Sequence, residues 1–177
     1  MDLFDVIAAR RSYRGSYLPE QVPREDLQRI MEPGLAAPSG CNKQTTALVA
    51  VDDPALLQQI FAIMELPFCK SAPAVICVTT KHIVAYRDGW GKDRCYQVQD
   101  YAAAIENMLL AITALGYASC WIEGHVTDAD EQGRRIAELL HVTEKEALVC
   151  VLPVGRPADE MKPVRKQPFS ERFSVLP

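Results

Sequence analysis

Residues 107–122 read Asn-Met-Leu-Leu-Ala-Ile-Thr-Ala-Leu-Gly-Tyr-Ala-Ser-Cys-Trp-Ile and carry no charge. A membrane span needs about 20 apolar residues. This run is shorter, and Gly116 interrupts it. The apolar positions Tyr101, Ile105, Met108, Ile112 and Leu115 recur at helical spacing, so a long helix ends at Gly116 in a left-handed cap. Ser119–Ile122 then reads as a buried strand. A helix, a glycine turn and a strand in one uncharged stretch mark the interior of a layered α/β structure.

The same alternation runs outward in both directions. Residues 2–9 predict a first helix, with Leu3, Val6, Ile7 and Arg10 on one face. Pro23 opens a second helix with Glu25 and Asp26 in its first turn. Leu27, Ile30, Met31 and Leu35 form its inward face, and Pro33 should kink or end it. Thr46–Val51 predicts a strand. Asp53-Pro54 caps a helix that turns Leu56, Leu57, Ile60, Phe61 and Met64 inward. Pro73–Thr80 is a continuous apolar run, as expected of a central strand buried on both faces. Residues 81–96 have no clear period and predict a mobile excursion carrying Tyr86, Trp90 and Tyr96. Thr127–Leu140 reads as a helix with Thr127 and Asp130 at capping-box spacing. Ala147–Val154 is another buried strand, ending at Gly155-Arg156. Helices alternating with strands predict a helix–sheet–helix sandwich.

The chain has 177 residues, 49% of them hydrophobic, which suits one domain over 1–177 with a substantial core. Its net charge of −4 argues against nonspecific nucleic-acid binding. Residues 1–14 carry +1, residues 156–177 carry +2, and the stretch between carries −7. Basic ends around an acidic middle fit an anionic small ligand gripped by both ends, although charged termini are also ordinary. No two of the six cysteines have metal or redox-motif spacing. Cys77, Cys120 and Cys150 lie in apolar runs, as small hydrophobes do. Reduced thiols and the absence of an apolar N-terminal signal segment predict a cytoplasmic protein without a membrane anchor.

Arg10-Arg11-Ser12-Tyr13-Arg14 places three guanidiniums and a hydroxyl within a few residues. Guanidinium is a planar fork that matches phosphate oxygens and stays charged at any working pH. Taken alone, such a turn is an ordinary solvated surface. The usual self-contained chemistries are absent from the sequence. There is no G-x-G-x-x-G, no Walker loop and no G-x-S-x-G elbow, and His82, His125 and His141 lack metal-ligand spacing. No side chain is assigned as catalytic and no metal is expected. Any chemistry must come from a cofactor.

Four segments supply a family resemblance. Arg10-Arg11-Ser12-Tyr13-Arg14 resembles the R-R-S-x-R opening of the FMN-dependent nitroreductases. Ala37-Pro38-Ser39-Gly40-Cys41-Asn42-Lys43-Gln44 is similar to their A-P-S-x-x-N-x-Q loop. Asn107–Ala111 with Leu115–Gly124 resembles their N-M-L-L-A helix and L-G-x-x-x-C-W-I-x-G strand. Pro153-Val154-Gly155-Arg156-Pro157 resembles their closing V-G-x-P. The resemblance implies an α+β fold. It would be a three-layer α/β/α sandwich with a mixed central sheet, and its C-terminal segment would exchange with a partner subunit.

It also implies an FMN site between the two subunits of a homodimer. Arg10, Arg11 and Ser12 would bind the phosphate, with Arg165 and Lys166 as the C-terminal basic candidates. Arg14 would lie at the flavin pyrimidine edge and tune it. Trp121, Ile122, Glu123 and Gly124 would carry the ring system. Pro38, Ser39, Gly40 and Asn42 would reach the partner's flavin. NADH or NADPH would be the reductant, and nitroaromatics, quinones or similar electron-poor small molecules the acceptors, in ping-pong order. Thr45-Thr46 stands where the family usually has Pro-Trp, and Pro33 is unusual in the second helix. Both leave the acceptor open. The alternatives are a flavin-binding redox sensor or storage protein, and a layered domain whose basic turn binds another anion. Tyr86, Trp90 and Tyr96 would shape the acceptor side.

Overall fold

The computed structural model describes residues 2–127 and 131–176. Helix α1 spans Leu3–Ala9, α2 Arg24–Leu35, α3 Pro54–Met64 and α4 Gln97–Ala114. Two further helices follow, α5 at Gly124–Thr127 and α6 at Gln132–Leu139. The strands are β1 Thr46–Val51, β2 Ala74–Lys81, β3 Val84–Arg87, β4 Asp93–Cys95 and β5 Glu146–Val154.

β2 is the middle of an antiparallel sheet ordered β1-β2-β5. Its continuous apolar sequence reflects burial on both faces. Val75 and Cys77 enter one core with Leu57, Ile60, Phe61 and Met64 of α3 and Ile136 of α6. Ala74, Ile76 and Val78 enter the opposite core with Leu27 and Ile30 of α2 and Ile105, Met108 and Ile112 of α4. The sandwich therefore has the three expected layers. The β2–β5 register shifts between Val78 and Thr79, so Val149 and Cys150 share the α2/α4 side.

The strand expected at Ser119–Ile122 forms as an irregular edge. Ala118 bridges Gly155 and Ile122 bridges Val151, both antiparallel to β5. Cys120 lies between these bridges opposite Pro153, which has no N–H to donate, and no backbone bond joins them. Beyond this edge Ser12 bridges Ser119 in parallel, which makes the sheet mixed.

Gly116 caps α4 as expected, at φ 78°, with Tyr117 N–H donating to Ile112 O at 3.0 Å. α2 does not stop at Pro33. It runs to Leu35, and Asn107 Nδ2 donates to the Pro33 carbonyl at 2.9 Å. Leu27 and Ile30 are buried, whereas Leu35 is exposed. On α1 only Val6 is buried, and Leu3, Phe4 and Ile7 face outward. The helix expected over Thr127–Leu140 is two pieces, because Glu131 sits at φ 61° before α6. The capping pair Thr127–Asp130 falls partly outside the described residues.

Residues 81–96 contain a hairpin rather than a structureless excursion. β3 pairs with β4, and Asp88 organises the turn. Its Oδ1 accepts from Trp90 N–H at 3.0 Å and Lys92 N–H at 2.9 Å, and its Oδ2 from Arg94 Nε at 2.8 Å. Among the described residues, no helix is long and apolar enough to cross a membrane. None of their His, Cys, Asp and Glu side chains form a group of three or more that could hold a metal.

Candidate functional site

The basic turn and the Trp121–Gly124 segment are over a hundred residues apart in sequence. The sheet makes them neighbours: Tyr13 N–H donates to Ser119 O at 2.8 Å beside the Ser12–Ser119 bridge. Extended backbone alternates its side chains. Tyr13 is accordingly buried in the α3/α6 core, while Ser12 and Arg14 face outward.

Arg10 is half-buried, with Nε 3.4 Å from Glu106 Oε1 of α4. Arg11 turns back on α1, donating to the carbonyls of Ala8 and Arg10 (2.8 Å for the latter). It serves as a helix C-terminal cation there. Arg14 lies 5.9 Å from the centroid of the Phe68 ring. It lines a cleft of about 370 Å³ with Phe68, Cys69, Lys70, Ser71 and Asp159. Neither Arg14 nor Lys70 has an ion pair among the described residues.

Trp121 Nε1 donates to Glu123 Oε2 at 2.8 Å, and Tyr101 Oη of α4 donates to Glu123 Oε1 at 2.7 Å. Both oxygens of Glu123 are thus engaged, and its backbone carbonyl accepts from Val126 N–H at 2.8 Å at the start of α5. Burial is the first cause, and the bond to Glu123 the second, of a Tyr101 phenol held well above its ordinary pKa. Ile122 is buried against β5. A Cβ at Gly124 would meet nothing within 4 Å, so the space over this backbone is open.

Pro38, Ser39, Gly40 and Asn42 stand elsewhere on the protomer, against the first turn of α4. Gly40 N–H donates to Asp100 Oδ1 at 2.8 Å, and Thr45 Oγ1 donates to Asp100 Oδ2 at 2.8 Å. Pro38 and Ser39 line a cavity of about 260 Å³ with Leu35, Gln44, Thr46 and Ala104. Tyr96 packs on Gly40, and its hydroxyl is 3.1 Å from that of Tyr86 on β3. The hairpin therefore adjoins this loop, with Trp90 at its tip 94% exposed.

The C-terminal segment starts out anchored. Leu18 N–H donates to Arg156 O and Ala158 N–H to Ser16 O, each at 2.9 Å. Ala158 and Asp159 N–H both reach Tyr13 Oη at 3.2 Å. Beyond that point Arg165 and Lys166 are exposed and are not joined to the basic turn. The sequence reading gave no site role to Lys70, Glu106 and Asp100, and read Tyr101 only as a position on the apolar face of α4. Asp100 had a usable signal: its spacing from Ala104 and Met108 puts an acid on an otherwise apolar helix face. Lys70 had none.

A model of the nitroreductase family matches residues 7–65 and 64–156. An Archaeoglobus fulgidus protein named "Putative NADH dehydrogenase/NAD(P)H nitroreductase" is 32% identical over 158 residues, covering 88% of this chain and 85% of its own. A CLA biosynthesis enone reductase from Lactiplantibacillus plantarum is 35% identical over 97 residues, or 51% of this chain and 44% of that protein. The crystal structure of a Bacteroides fragilis nitroreductase with bound FMN matches with a TM-score of 0.76 at 28% identity, covering 99% of both chains. With its three-layer sandwich and a family match across most of its length, the chain belongs to the nitroreductase family and is an oxidoreductase.

Proposed function

We propose that residues 1–177 form one FMN-binding domain that acts as a cytoplasmic homodimer. It would use NADH or NADPH to reduce nitroaromatics, quinones or similar electron-poor acceptors by two electrons in ping-pong order. The observation that carries this reading is the adjacency of the basic turn to the Trp121–Gly124 backbone across the Ser12–Ser119 bridge. A mononucleotide has a dianionic phosphate at one end and a flat ring system at the other. Arg10 and Ser12 offer donors for the first, Arg11 adds positive charge, and the open backbone at Gly124 suits the second. FMN, when bound, supplies hydride chemistry that no side chain here provides.

The chain's own residues bind and orient. Arg14, beside a cleft and free of carboxylate partners, would offer fixed positive charge to the edge of a bound ring system and favour its reduced form. The Tyr101–Glu123–Trp121 bonds hold in place the segment that would carry the ring. Arg165 and Lys166 are assigned to the phosphate from the C-terminal segment, which is proposed to wrap the partner subunit. Pro38, Ser39, Gly40 and Asn42 are assigned to the partner's flavin. Ring stacking on the acceptor falls to Tyr86, Trp90 and Tyr96. The nitroreductase and enone reductase relatives support an acceptor with an electron-poor π system.

The test is anaerobic stopped-flow absorbance of the purified protein, mixed first with NADH and then with NADPH. Rapid bleaching of a yellow protein and recovery with a quinone or nitroaromatic is expected. A yellow protein that neither nucleotide bleaches would support a sensor or storage role instead. A protein that neither contains nor takes up FMN would overturn the reading.

A further inference from the structure

The loop Ser39–Gln44 is held in a conformation that its own residues disfavour. Cys41, Asn42 and Gln44 all occupy the left-handed region, at φ 51°, 54° and 48°. For Cys41 and Gln44 this is strained, asparagine being a residue that tolerates the region, and such strain persists only where the surroundings enforce it. Two such residues within four require a restraint.

The restraint is a buried carboxylate. Asp100 is 4% exposed and sits in the first turn of α4, where negative charge is favoured. Its two oxygens accept from Gly40 N–H and Thr45 Oγ1, each at 2.8 Å. Those two donors bracket both strained residues, Cys41 and Gln44. Within the loop, Ser39 Oγ accepts from Gln44 N–H at 3.0 Å. Tyr96, one turn before Asp100, leaves the loop no room to relax inward. A Cβ at Gly40 would lie 2.4 Å from a Tyr96 ring carbon. A buried ionised group with no partner would be costly, so the loop and the carboxylate depend on each other.

We propose that Asp100 is a positioning residue whose carboxylate latches the strained Ser39–Gln44 loop in the shape that presents Asn42 outward for FMN binding. The proposal rests on the flavin reading above, in which this loop reaches the partner's FMN. Asp100 acts through the loop and does not touch the cofactor itself.

The test compares the FMN-loaded dimer with Asp100→Ala, Asp100→Asn and Thr45→Val. The readouts are the FMN dissociation constant by fluorescence and the visible circular dichroism of bound flavin. Asp100→Ala is expected to weaken FMN binding by about tenfold or more and to alter the flavin dichroism, since two hydrogen bonds are lost. Asp100→Asn should recover to within about threefold of the parent, because one oxygen still accepts from Gly40 and the amide can donate to Thr45. Thr45→Val should weaken binding by about three- to tenfold, with the same sign of spectral change.

A folded Asp100→Ala variant with the parent's affinity and dichroism would overturn the proposal. So would an Asn variant as weak as the Ala variant, which would make charge rather than geometry the determinant. If Asp100→Ala does not fold, Thr45→Val decides by the same two readouts. Failure of the parent protein to bind FMN would remove the flavin reading and this proposal together. Unchanged variants of an FMN-binding parent would remove this proposal alone.

Discussion

Arg10 has a partner that it can give up. Its contact with Glu106 is 3.4 Å long and partly solvated, and such pairs contribute about 0–1 kcal/mol. A charge-assisted contact to phosphate contributes about 1.5–3 kcal/mol. In the proposed site, phosphate would therefore displace Glu106 from the guanidinium. Arg10→Ala is expected to weaken FMN binding by that amount, read by fluorescence titration of the apoprotein. The cysteines give a second test at this scale. Burial pushes the Cys77 thiol up to about 12 and holds Cys150 well above its ordinary value. Native protein at mildly alkaline pH should keep both thiols unalkylated by mass spectrometry, while denatured protein is modified at all six. The apolar settings of Cys77 and Cys150 were legible in sequence, because their neighbours are contiguous. The partners of Arg10 and Arg14 were not, because Glu106 and Phe68 arrive from distant segments through tertiary packing.

The elements divide along the same line. β1 and α3 match their sequence expectations because local signals agree: a β-branched run for one, and an Asp53 cap with Pro54 for the other. The β3–β4 hairpin was illegible because its order does not come from hydrophobic alternation. It comes from side chains bonded to backbone at Asp88, and from the Arg87–Asp93 pair at 2.8 Å. The N–H groups of Lys92 and Trp90 hold the Asp88 carboxyl below its ordinary range, with Arg94 adding to them. A lowered folded-state pKa means that the ionised form stabilises the turn. That contribution is complete above the ordinary aspartate value of about 3.9 and is lost as pH falls through the lower folded-state value. The Trp90 and Lys92 amide resonances should therefore titrate together in an NMR acid series, with a midpoint below that of an unstructured aspartate. Likewise, the Ser119–Ile122 strand was legible as apolar sequence, but its broken ladder depends on Pro153 in another element.

For the whole molecule, the three layers followed from the order of helices and strands, and the open faces did not. α1 has a helical apolar pattern whose Leu3, Phe4 and Ile7 remain outside, with Phe4 79% exposed. Phe169 and Phe173 stack at 4.5 Å on the tail and are also exposed. Apolar surface of this kind marks an association face. The apolar tail was legible in the sequence as a segment calling for a partner, whereas the open face of Leu3, Phe4 and Ile7 was not. If the proposed dimer uses these faces, Ile7→Glu, or removal of residues 160–177, shifts the protein from dimer to monomer in light scattering. FMN retention should fall with it, because half of the proposed site would be lost.

The missing bond at Pro153 also has a mechanical meaning. The backbone from Ala118 to Ile122 behaves as a beam held to β5 at two supports, the bridges to Gly155 and Val151, with no backbone hydrogen bond to β5 at its midpoint, Cys120. A beam of this kind can bow without lifting from either end. The next residues, Glu123 and Gly124, form the proposed cradle for the ring system. A ring that changes shape between oxidised and reduced forms would rest on a span with give built in, while β5 below it keeps its register with β2. Restoring the N–H with Pro153→Ala would stiffen that span from inside the sheet, far from any group that touches a ligand.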